Sequence, residues 1–295
     1  MKFIWFCAAG YSFFCGIALL VLSILSSMIF KRLWQKLLLY TTTFTGVFLI
    51  FLSATPLPCW LYIIWATSVL GWLLFFTLEK RSKWPFYKLL ITIAFFLTIM
   101  ALVTELPFHT EPTMPKQKYE RLYIIGDSVS AGIGGRHEQT WPKLLRDKYG
   151  IRVIDLSEQG ATVASAIRQA TQVSCENAVV LLEIGGNDLF APTPYSQFRK
   201  DLSQILKKVN SSEHTVVMLE LPLLPWHIEY GRIQRQLAKQ FDVILIPKRF
   251  FVSVLSVKGA STDLAHLSAK GHQLMAERIW SILGPNLNPA VSEGN

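Results

Sequence analysis

Four short polar segments interrupt the second half of the chain, and the first of them contains a candidate nucleophile. Ser128 lies in Gly126-Asp127-Ser128, directly after an apolar run. A serine exposed by a tight turn at a strand end is a common position for a nucleophile. Gly, Asp and Ser are also ordinary turn residues, so this motif alone leaves a simple capped turn equally open. It is not the Gly-x-Ser-x-Gly elbow of α/β-hydrolases.

The other three segments offer groups that could polarise a carbonyl or move a proton. Gly160 could present its backbone N–H to a ligand, although a lone glycine more often marks a turn. Asn187 follows two glycines and offers a side-chain amide donor. Asp263 precedes His266 by three residues, so one loop could supply an imidazole and the carboxylate that supports it. Each segment taken alone could also be a turn or a capped polar loop.

Apolar runs and helical patterns alternate around these segments and predict how they are held. The predicted strands cover residues 122–125, 153–156, 178–183, 215–221 and 243–246. The predicted helices cover residues 141–148, 162–171, 196–209, 233–240 and 268–283. Apolar strands separated by helices indicate a parallel sheet covered on both faces. Because such sheets bind ligands at the carboxyl ends of their strands, the four segments are expected to converge there.

Together the four segments resemble the consensus blocks of the SGNH hydrolase family, also called GDSL-type esterases. The family's Ser, Gly, Asn and His fall, in the family's order, on Ser128, Gly160, Asn187 and His266. The match is closest to the bacterial periplasmic thioesterase and lysophospholipase branch, in residues 126–132, 141–145, 183–188 and 238–243. The resemblance covers about residues 122–276. It departs from many relatives at Leu267, where they carry Pro after the His.

The resemblance implies a three-layer α/β/α, flavodoxin-like fold and a serine hydrolase that cleaves carboxylic esters. Ser128 would be the nucleophile, His266 the general base, and Asp263 the group that orients the imidazole. The N–H groups of Ser128 and Gly160 and the side-chain amide of Asn187 would form the oxyanion hole. The family chemistry requires neither a cofactor nor a metal.

Three further polar residues near these motifs have a structural interpretation. Asp127 and Asp188 are expected to brace their turns rather than react. His272 lies six residues after His266 and is expected to pack against the core or to cap the last helix.

The first third of the chain has a different composition and predicts a membrane region. Of 295 residues, 51% are hydrophobic and 17% charged, against about 25% charged in a typical soluble protein. Four apolar stretches lack an ionisable residue in their interior, at residues 3–30, 37–54, 57–78 and 89–106. About 20 apolar residues span a bilayer, so four transmembrane helices are expected. A cleaved signal peptide is the weaker reading of the first stretch, which is too long for one.

The distribution of charge predicts the orientation of this region. Up to residue 110 there are eight basic and two acidic residues, which account for +6 of the net charge of +9. Seven of the eight fall in the first and third loops between the stretches, at Lys31, Arg32, Lys36, Lys80, Arg81, Lys83 and Lys88. The positive-inside rule puts both loops in the cytoplasm. The N-terminus and the catalytic domain are then extracytoplasmic, which is periplasmic in a Gram-negative cell.

The predicted organisation is a membrane region at 1–108, a linker at 109–118, an SGNH hydrolase domain at 119–286 and a C-terminal tail at 287–295. The expected function is a membrane-anchored extracytoplasmic esterase acting on a lysophospholipid, a thioester or an O-acetyl group of an envelope glycan. An O-acyltransferase with the same site and a non-catalytic partner-binding module of a membrane assembly are the alternatives. Nucleic-acid binding is not expected, because the soluble part has a net charge of only +3 and no basic cluster. The sequence identifies no protein partner.

Overall fold

The computed structural model describes residues 2–29, 33–78, 85–134, 138–174, 177–191, 193–211, 213–263 and 266–289. The chain divides into two compact units. One, here the helical unit, comprises Phe6–His109 and Leu223–Ile228. The other, here the α/β unit, comprises Met1–Trp5, Thr110–Pro222 and Glu229–Asn295.

Apolar helices account for most of the described residues up to Glu105. They are α1 (Lys2–Ala8), α2 (Tyr11–Ser26), α3 (Leu33–Leu52), α4 (Cys59–Thr77) and α5 (Pro85–Glu105). Three helical segments in the described part are long and apolar enough to cross a membrane, namely Leu33–Leu52, Cys59–Thr77 and Phe86–His109. They match the second, third and fourth predicted spans. Of the loop residues that predict orientation, Lys31, Arg32, Lys80, Arg81 and Lys83 lie outside the described residues.

The sequence suggested one continuous helix over the first apolar stretch, but the structure has two helices there, α1 and α2. Gly10 adopts φ +84° between α1 and α2, a left-handed conformation that glycine accepts without steric cost and that interrupts helical hydrogen bonding. The 16 residues of α2 rise about 24 Å, less than the hydrocarbon thickness of about 30 Å. Four spans therefore remain a prediction, whereas three helices of spanning length are observed.

Close approach and polar contacts join the apolar helices. α2 packs on α3 where a Cβ on Gly16 would lie only 2.5 Å from the carbonyl oxygen of Gly46. The hydroxyls of Ser23 and Thr42 lie 2.7 Å apart across the same pair. Between α4 and α5, Trp65 Nε1 donates to Thr98 Oγ1 at 3.1 Å. Small residues and interhelical hydrogen bonds are the usual basis of helix association in lipid.

The α/β unit is built on a five-stranded sheet in which every paired neighbour is parallel, in the order β2-β1-β3-β4-β5. The strands are β1 (Arg121–Gly126), β2 (Arg152–Asp155), β3 (Ala178–Glu183), β4 (His214–Leu219) and β5 (Ile244–Ile246). β3 is central and all six of its residues are buried. This explains its unbroken apolar sequence, which predicted its bounds correctly.

Helices follow the strands and cover the sheet. They are α6 (Ser128–Ala131), α7 (Trp141–Tyr149), α8 (Val163–Ala170), α9 (Gly186–Phe190), α10 (Tyr195–Val209), α11 (Ile228–Gln240), α12 (Lys248–Leu255) and α13 (Ala269–Leu283). Alternate residues of the strands, such as Leu122 and Leu181, form one core with Trp141, Phe250 and Met275 from α7, α12 and α13. Neighbouring residues of a strand point to opposite faces, so the remaining buried positions face the other helices. The α/β architecture and parallel sheet predicted from the sequence are confirmed.

The segment predicted as a linker is hydrogen-bonded to the end of the chain. Asn286 Nδ2 donates to the carbonyl oxygens of Pro115 and Gln117, at 2.5 and 2.8 Å. Lys118 Nζ donates to the carbonyl oxygen of Pro285 at 2.7 Å. The entry to β1 and the exit from α13 are therefore held together.

Replacing Gly16 tests the contact between α2 and α3. In Gly16→Ala the new methyl group would meet the Gly46 carbonyl and Ile50 Cγ1, at 2.5 and 2.7 Å, and overpacking of this kind costs about 1–3 kcal/mol. We expect a melting temperature lower by several degrees for the full chain in detergent, followed by far-UV circular dichroism. Gly71→Ala is the matched control, because its Cβ would lie 3.6 Å from Leu90. Equal melting temperatures for the two variants would contradict this packing.

Candidate active site

The strand order creates a crevice between β1 and β3. From β1 the chain proceeds to β2 on one side, whereas β3, β4 and β5 lie on the other. At such a reversal the connections leave in opposite directions, and a cleft opens at the carboxyl ends of the two strands. Gly126 and Glu183 are opposite each other at these ends. Ser128 follows β1 and Asn187 follows β3, so the fold brings two of the predicted site residues to one cleft.

Asp127 shapes the turn that presents Ser128. Its side chain caps α6 by accepting the Val129 N–H at 2.9 Å. Ser128 is the first residue of α6 and is partly exposed. Ser128 therefore lies at the start of a short helix, beyond the carboxyl end of β1, and is not enclosed in the core. Gly126 allows the turn to pack tightly, since a Cβ there would lie 2.7 Å from Ser130 Oγ.

Asn187 lies across the cleft from this turn. Gly185 adopts φ +111° at the start of α9, which turns the chain sharply after β3. Asn187 Nδ2 then donates to the carbonyl oxygen of Ala161 at 2.9 Å and to Asp127 Oδ2 at 3.3 Å. The amide thus links the ends of β1, β2 and β3.

The loop that carries Gly160 is anchored on both sides of the Ser128 turn. The Glu158 N–H donates to the Gly126 carbonyl oxygen at 3.1 Å, and Gln159 Nε2 donates to the Gly132 carbonyl oxygen at 2.9 Å. Gly160 itself is exposed and has φ +71°. A side chain there would be strained although nothing lies within 4 Å of its Cβ position.

Asp263 and His266 form the hydrogen-bonded pair that their spacing predicted. His266 Nδ1 lies 2.7 Å from Asp263 Oδ2, and the His266 N–H donates to Asp263 Oδ1 at 2.7 Å. An ionised carboxylate can only accept, so Nδ1 carries the proton and Nε2 keeps its lone pair when the ring is neutral. The next residue, Leu267, is buried in the core and bridges to Ser261. Leu267 therefore anchors this loop in the core.

The described structure brings the predicted residues together to different degrees. Asn187, the Gly160 loop and the Ser128 turn are directly connected, as are Asp263 and His266. His266 also favours the ionised form of Asp127, the residue before Ser128, and so opposes the rise of its pKa. Among the described residues, the Ser128 hydroxyl makes no hydrogen bond to His266. Catalytic hydrogen bonds are often long before substrate binds.

Other residues around the cleft have structural contacts. His272 is buried and accepts the Trp141 N–H on Nδ1 at 3.2 Å, while Ser268 caps α13. His272 therefore packs, as expected, but does not cap. Asp188 accepts the Val163 N–H at 2.9 Å. In the described part of the chain, no three His, Cys, Asp or Glu side chains are grouped so as to hold a metal ion.

The sequence interpretation missed a buried carboxyl group beside Asp127. Glu183 ends β3, is 7% exposed and accepts from Ser130 Oγ at 2.7 Å. Burial, reinforced by the charge of Asp127, raises its pKa well above the usual value. Burial also raises the pKa of Asp127 to about 6, against the opposing effects of the Val129 N–H and His266. A lone acidic residue closing a fully apolar strand was the available signal.

A third buried acidic residue, at the carboxyl end of a strand, has a pKa that is lowered instead of raised. Glu220 follows β4, and its Oε1 accepts from Arg235 Nε at 2.7 Å. Burial raises its pKa, but Arg235 and Lys248 outweigh that effect and leave the pKa below the usual value. Two basic side chains stabilise the carboxylate at Glu220. At Asp127, by contrast, burial outweighs the opposing effect of His266 and leaves the pKa raised, and at Glu183 burial and the charge of Asp127 raise the pKa together.

Comparison with known proteins identifies the family to which the chain belongs. A model of the GDSL-like Lipase/Acylhydrolase family matches residues 124–274, about half of the chain. The chain belongs to this family. The matched residues begin in β1 and end in α13, so they include every predicted site residue.

Named relatives are esterases and thioesterases. The chain is 28% identical to "Esterase TesA" of Pseudomonas aeruginosa over 181 residues, covering 57% of this chain and 90% of that protein. It is 31% identical to "Thioesterase 1/protease 1/lysophospholipase L1" of Escherichia coli over 183 residues, covering 57% and 86%. An "Arylesterase" of Vibrio mimicus is 30% identical over 157 residues, covering 48% and 76%.

Solved structures agree on the fold. A crystal structure of TesA is 28% identical, covers 57% of this chain and 99% of that chain, and gives a TM-score of 0.50. The esterase EstA from Pseudoalteromonas, at 23% identity, covers 56% and 97% with a TM-score of 0.50. The chain is therefore an SGNH-type serine hydrolase of carboxylic esters, and the predicted recognition is confirmed.

Glu183→Gln tests whether the buried carboxyl group resists ionisation. A raised pKa in the folded state means that stability is lost as pH rises from the unfolded value near 4.5 towards the folded value. Glutamine keeps the shape and has no such cost, so the variant should match the wild type at pH 4. At pH 8 it should melt higher by about 2 °C or more, since each pKa unit is worth about 1.4 kcal/mol.

The measurement is thermal unfolding of the full chain in detergent at both pH values. Glu277→Gln is the control, because Glu277 lies on the exposed face of α13 and pairs with Lys148 at 3.2 Å. A difference between Glu183→Gln and wild type that is the same at pH 4 and pH 8 would contradict the assignment.

Proposed function

We propose that the protein is a membrane-anchored extracytoplasmic esterase that forms an acyl-enzyme on Ser128. The observation that carries this proposal is the Asp263–His266 pair, with 2.7 Å between Oδ2 and Nδ1. It leaves Nε2 of a neutral imidazole unprotonated, which is the state that a general base needs. His266 also lowers the pKa of Asp127, the residue before Ser128, which supports a base that acts near the proposed nucleophile.

In the first half-reaction, Ser128 Oγ attacks the carbonyl carbon of the ester and passes its proton to His266 Nε2. Asp263 holds the ring and stabilises the imidazolium that forms. The tetrahedral intermediate then expels the alcohol or thiol, which receives the proton from Nε2. Water attacks the acyl-Ser128 ester in the same way, with His266 again as base, and the carboxylic acid is released.

The negative oxygen of the intermediate needs donors that are already in position. We assign this role to the backbone N–H groups of Ser128 and Gly160 and to Asn187 Nδ2. The hydrogen bonds of Glu158 to Gly126 and of Gln159 to Gly132 support this assignment, because they hold the Gly160 loop against the Ser128 turn. Loss of one such donor typically costs about 10²–10³ in rate.

The substrate class follows from the relatives and from the anchoring region. Relatives are named esterase, thioesterase, lysophospholipase and arylesterase, and the same attack serves esters and thioesters. Helices of membrane-spanning length in the same chain favour a substrate at the bilayer or in the envelope. We therefore propose a lysophospholipid, another acyl ester or thioester, or an O-acetylated envelope glycan.

An O-acyltransferase is the alternative that uses the same residues. Acyl-Ser128 would then be attacked by a sugar hydroxyl instead of water, with the same proton transfers. A non-catalytic module that binds a membrane partner is a third possibility, against which the intact Asp263–His266 pair argues.

Ser128→Ala tests the nucleophile. We expect hydrolysis of p-nitrophenyl butyrate by the full chain in detergent to fall by at least about 10³-fold, because no other hydroxyl replaces the attacking oxygen. Ser281→Ala is the control and should keep wild-type turnover, because Ser281 lies on α13 and its hydroxyl donates to the Arg278 carbonyl oxygen of the same helix. Retained turnover in Ser128→Ala would refute the assignment.

The same assay distinguishes the alternatives. A product ester that appears only when a sugar acceptor is added indicates transfer, whereas release of acid without an acceptor indicates hydrolysis. No turnover of any ester by the wild type, together with a co-purifying membrane protein, favours the binding module. A series of acyl chain lengths identifies the preferred substrate.

Reporter fusions test the orientation. Alkaline phosphatase fused after Asn295 should be active, and green fluorescent protein inserted between Lys80 and Lys88 should fluoresce, since the basic loops remain in the cytoplasm. Exchanging the two reporters should silence both. A fluorescent C-terminal fusion would overturn the extracytoplasmic location.

A further inference from the structure

Gly132 connects the proposed nucleophile to the loop that carries the proposed Gly160 donor. The Gly132 N–H donates to the Ser128 carbonyl oxygen at 3.0 Å. The Gly132 carbonyl oxygen accepts from Gln159 Nε2 at 2.9 Å, and Gln159 is the residue before Gly160. One glycine therefore contacts both segments whose backbone N–H groups we assign to the oxyanion hole.

The two backbone donors of these segments have no acceptor in the part of the chain that the structure describes. Neither the Ser128 N–H nor the Gly160 N–H donates to a group there. The amide of Asn187 differs, because its Nδ2 already donates to the Ala161 carbonyl oxygen and to Asp127 Oδ2. The spacing between the Ser128 and Gly160 N–H groups therefore bears directly on how an oxyanion is bound.

Glu138 binds the backbone on the far side of Gly132. Its Oε2 accepts the N–H groups of Ile133 and Gly134, both at 2.9 Å. Two successive N–H groups directed at one anion form a nest, and here the anion is a carboxylate of the same chain. Gly132 and Gly134 adopt φ +78° and +91°, a left-handed conformation that glycine accepts without steric cost.

Gly132 also packs directly against this carboxyl group. A Cβ on Gly132 would lie 2.7 Å from Cδ and from Oε2 of Glu138. The carboxyl group therefore occupies the space that a side chain at position 132 would fill. Its removal would leave two backbone N–H groups without this acceptor and Gly132 without this packing partner.

A buried histidine lies on the other side of the carboxyl group. His272 is 1% exposed, and its Nε2 lies 3.4 Å from Glu138 Oε1. Its Nδ1 accepts the Trp141 N–H at 3.2 Å, so the proton of a neutral ring is on Nε2, beside the carboxylate. The Glu138 carboxyl group is thus held between the nest and a side chain of α13, which limits its movement.

We propose that Glu138 is a positioning residue for the reaction: by holding Gly132 in place, its carboxylate sets the spacing between the Ser128 and Gly160 N–H groups that receive the oxyanion. This inference rests on the proposed function. Glu138 acts through Gly132 and does not touch the substrate. Because the oxyanion forms only as the reaction proceeds, a misplaced donor should lower kcat and leave KM almost unchanged.

Two substitutions separate the acceptor from the charge of Glu138. Glu138→Ala removes the acceptor, whereas the amide oxygen of Glu138→Gln can still accept both N–H groups of the nest. In the full chain in detergent, with p-nitrophenyl butyrate, we expect kcat of Glu138→Ala to fall by about 10–100-fold and KM to stay within about twofold. Glu138→Gln should recover most of the loss. Glu277→Ala, which removes a carboxylate paired with Lys148 on α13, is the control and should keep wild-type kcat.

A double-variant cycle tests whether the effect passes through Gly132. Gln159→Ala removes the side chain that joins Gly132 to the Gly160 loop. If Glu138 acts by this route, the two losses should overlap, and the double variant should be no more than about threefold slower than the slower single variant. If Glu138→Ala does not fold, Glu138→Asp takes its place, because the shorter side chain cannot contact both the nest and His272.

Several results would overturn the inference. They are wild-type kcat in Glu138→Ala, a rise in KM that accounts for the loss, Glu138→Gln no faster than Glu138→Ala, and losses that multiply in the double variant.

The proposed function fails separately. Its failure is seen as turnover that persists in Ser128→Ala, whereas the positioning role fails when one of those results is found in an enzyme whose turnover depends on Ser128.

Discussion

The parallel pairing of β1 with β3 is the constraint on which the site depends. It puts Gly126 opposite Glu183, so that the turns after both strands open into one cleft. Gly126 and Gly186 let these turns approach each other, since a Cβ on Gly126 would lie 3.2 Å from the Glu183 carbonyl oxygen and a Cβ on Gly186 would lie 3.3 Å from Asp127 Oδ2. The residues that follow, Ser128 and Asn187, are then brought to the same cleft although they are 59 positions apart in the sequence. A parallel sheet cannot bring its turns together in this way unless the strand order reverses, and here it reverses at β1.

Three buried acidic residues at the strand ends differ in how their negative charge is stabilised. Glu220 is neutralised by a guanidinium at 2.7 Å and behaves as a structural ion pair. Asp127 and Glu183 are also buried, yet Asp127 gains N–H donors and an effect of His266 that burial outweighs, and Glu183 accepts from the Ser130 hydroxyl. Such groups lower the stability of the fold at neutral pH. Their retention at the cleft is understandable if the site needs an acceptor there that can be ionised, as active sites often do.

The sequence predicted most of the sheet and the chemistry because those features are local. An unbroken apolar run defined β3 to the residue, and the spacing of Asp263 and His266 predicted a contact within one loop.

The missed features are of two kinds. α12 follows Pro247 and reads as a short apolar run, Lys248–Leu255, too short for helical periodicity to stand out. The contacts of Asn187 with Asp127 and Ala161 join residues 60 and 26 positions apart, and nothing in either segment specifies the other.

Two features of the helical unit, the break at Gly10 and the contacts between its helices, cannot be predicted from hydropathy. Hydropathy alone treated residues 3–30 as one span, whereas Gly10 divides them; a single glycine weighs little in a window average but decides where a helix ends. Hydropathy also cannot distinguish an isolated anchor from a packed bundle. The Gly16–Gly46 approach and the Ser23–Thr42 and Trp65–Thr98 hydrogen bonds are tertiary contacts of a folded bundle, which a chain tethered by independent spans has no need to form. The apolar region is therefore a folded unit in its own right, with its own packing constraints.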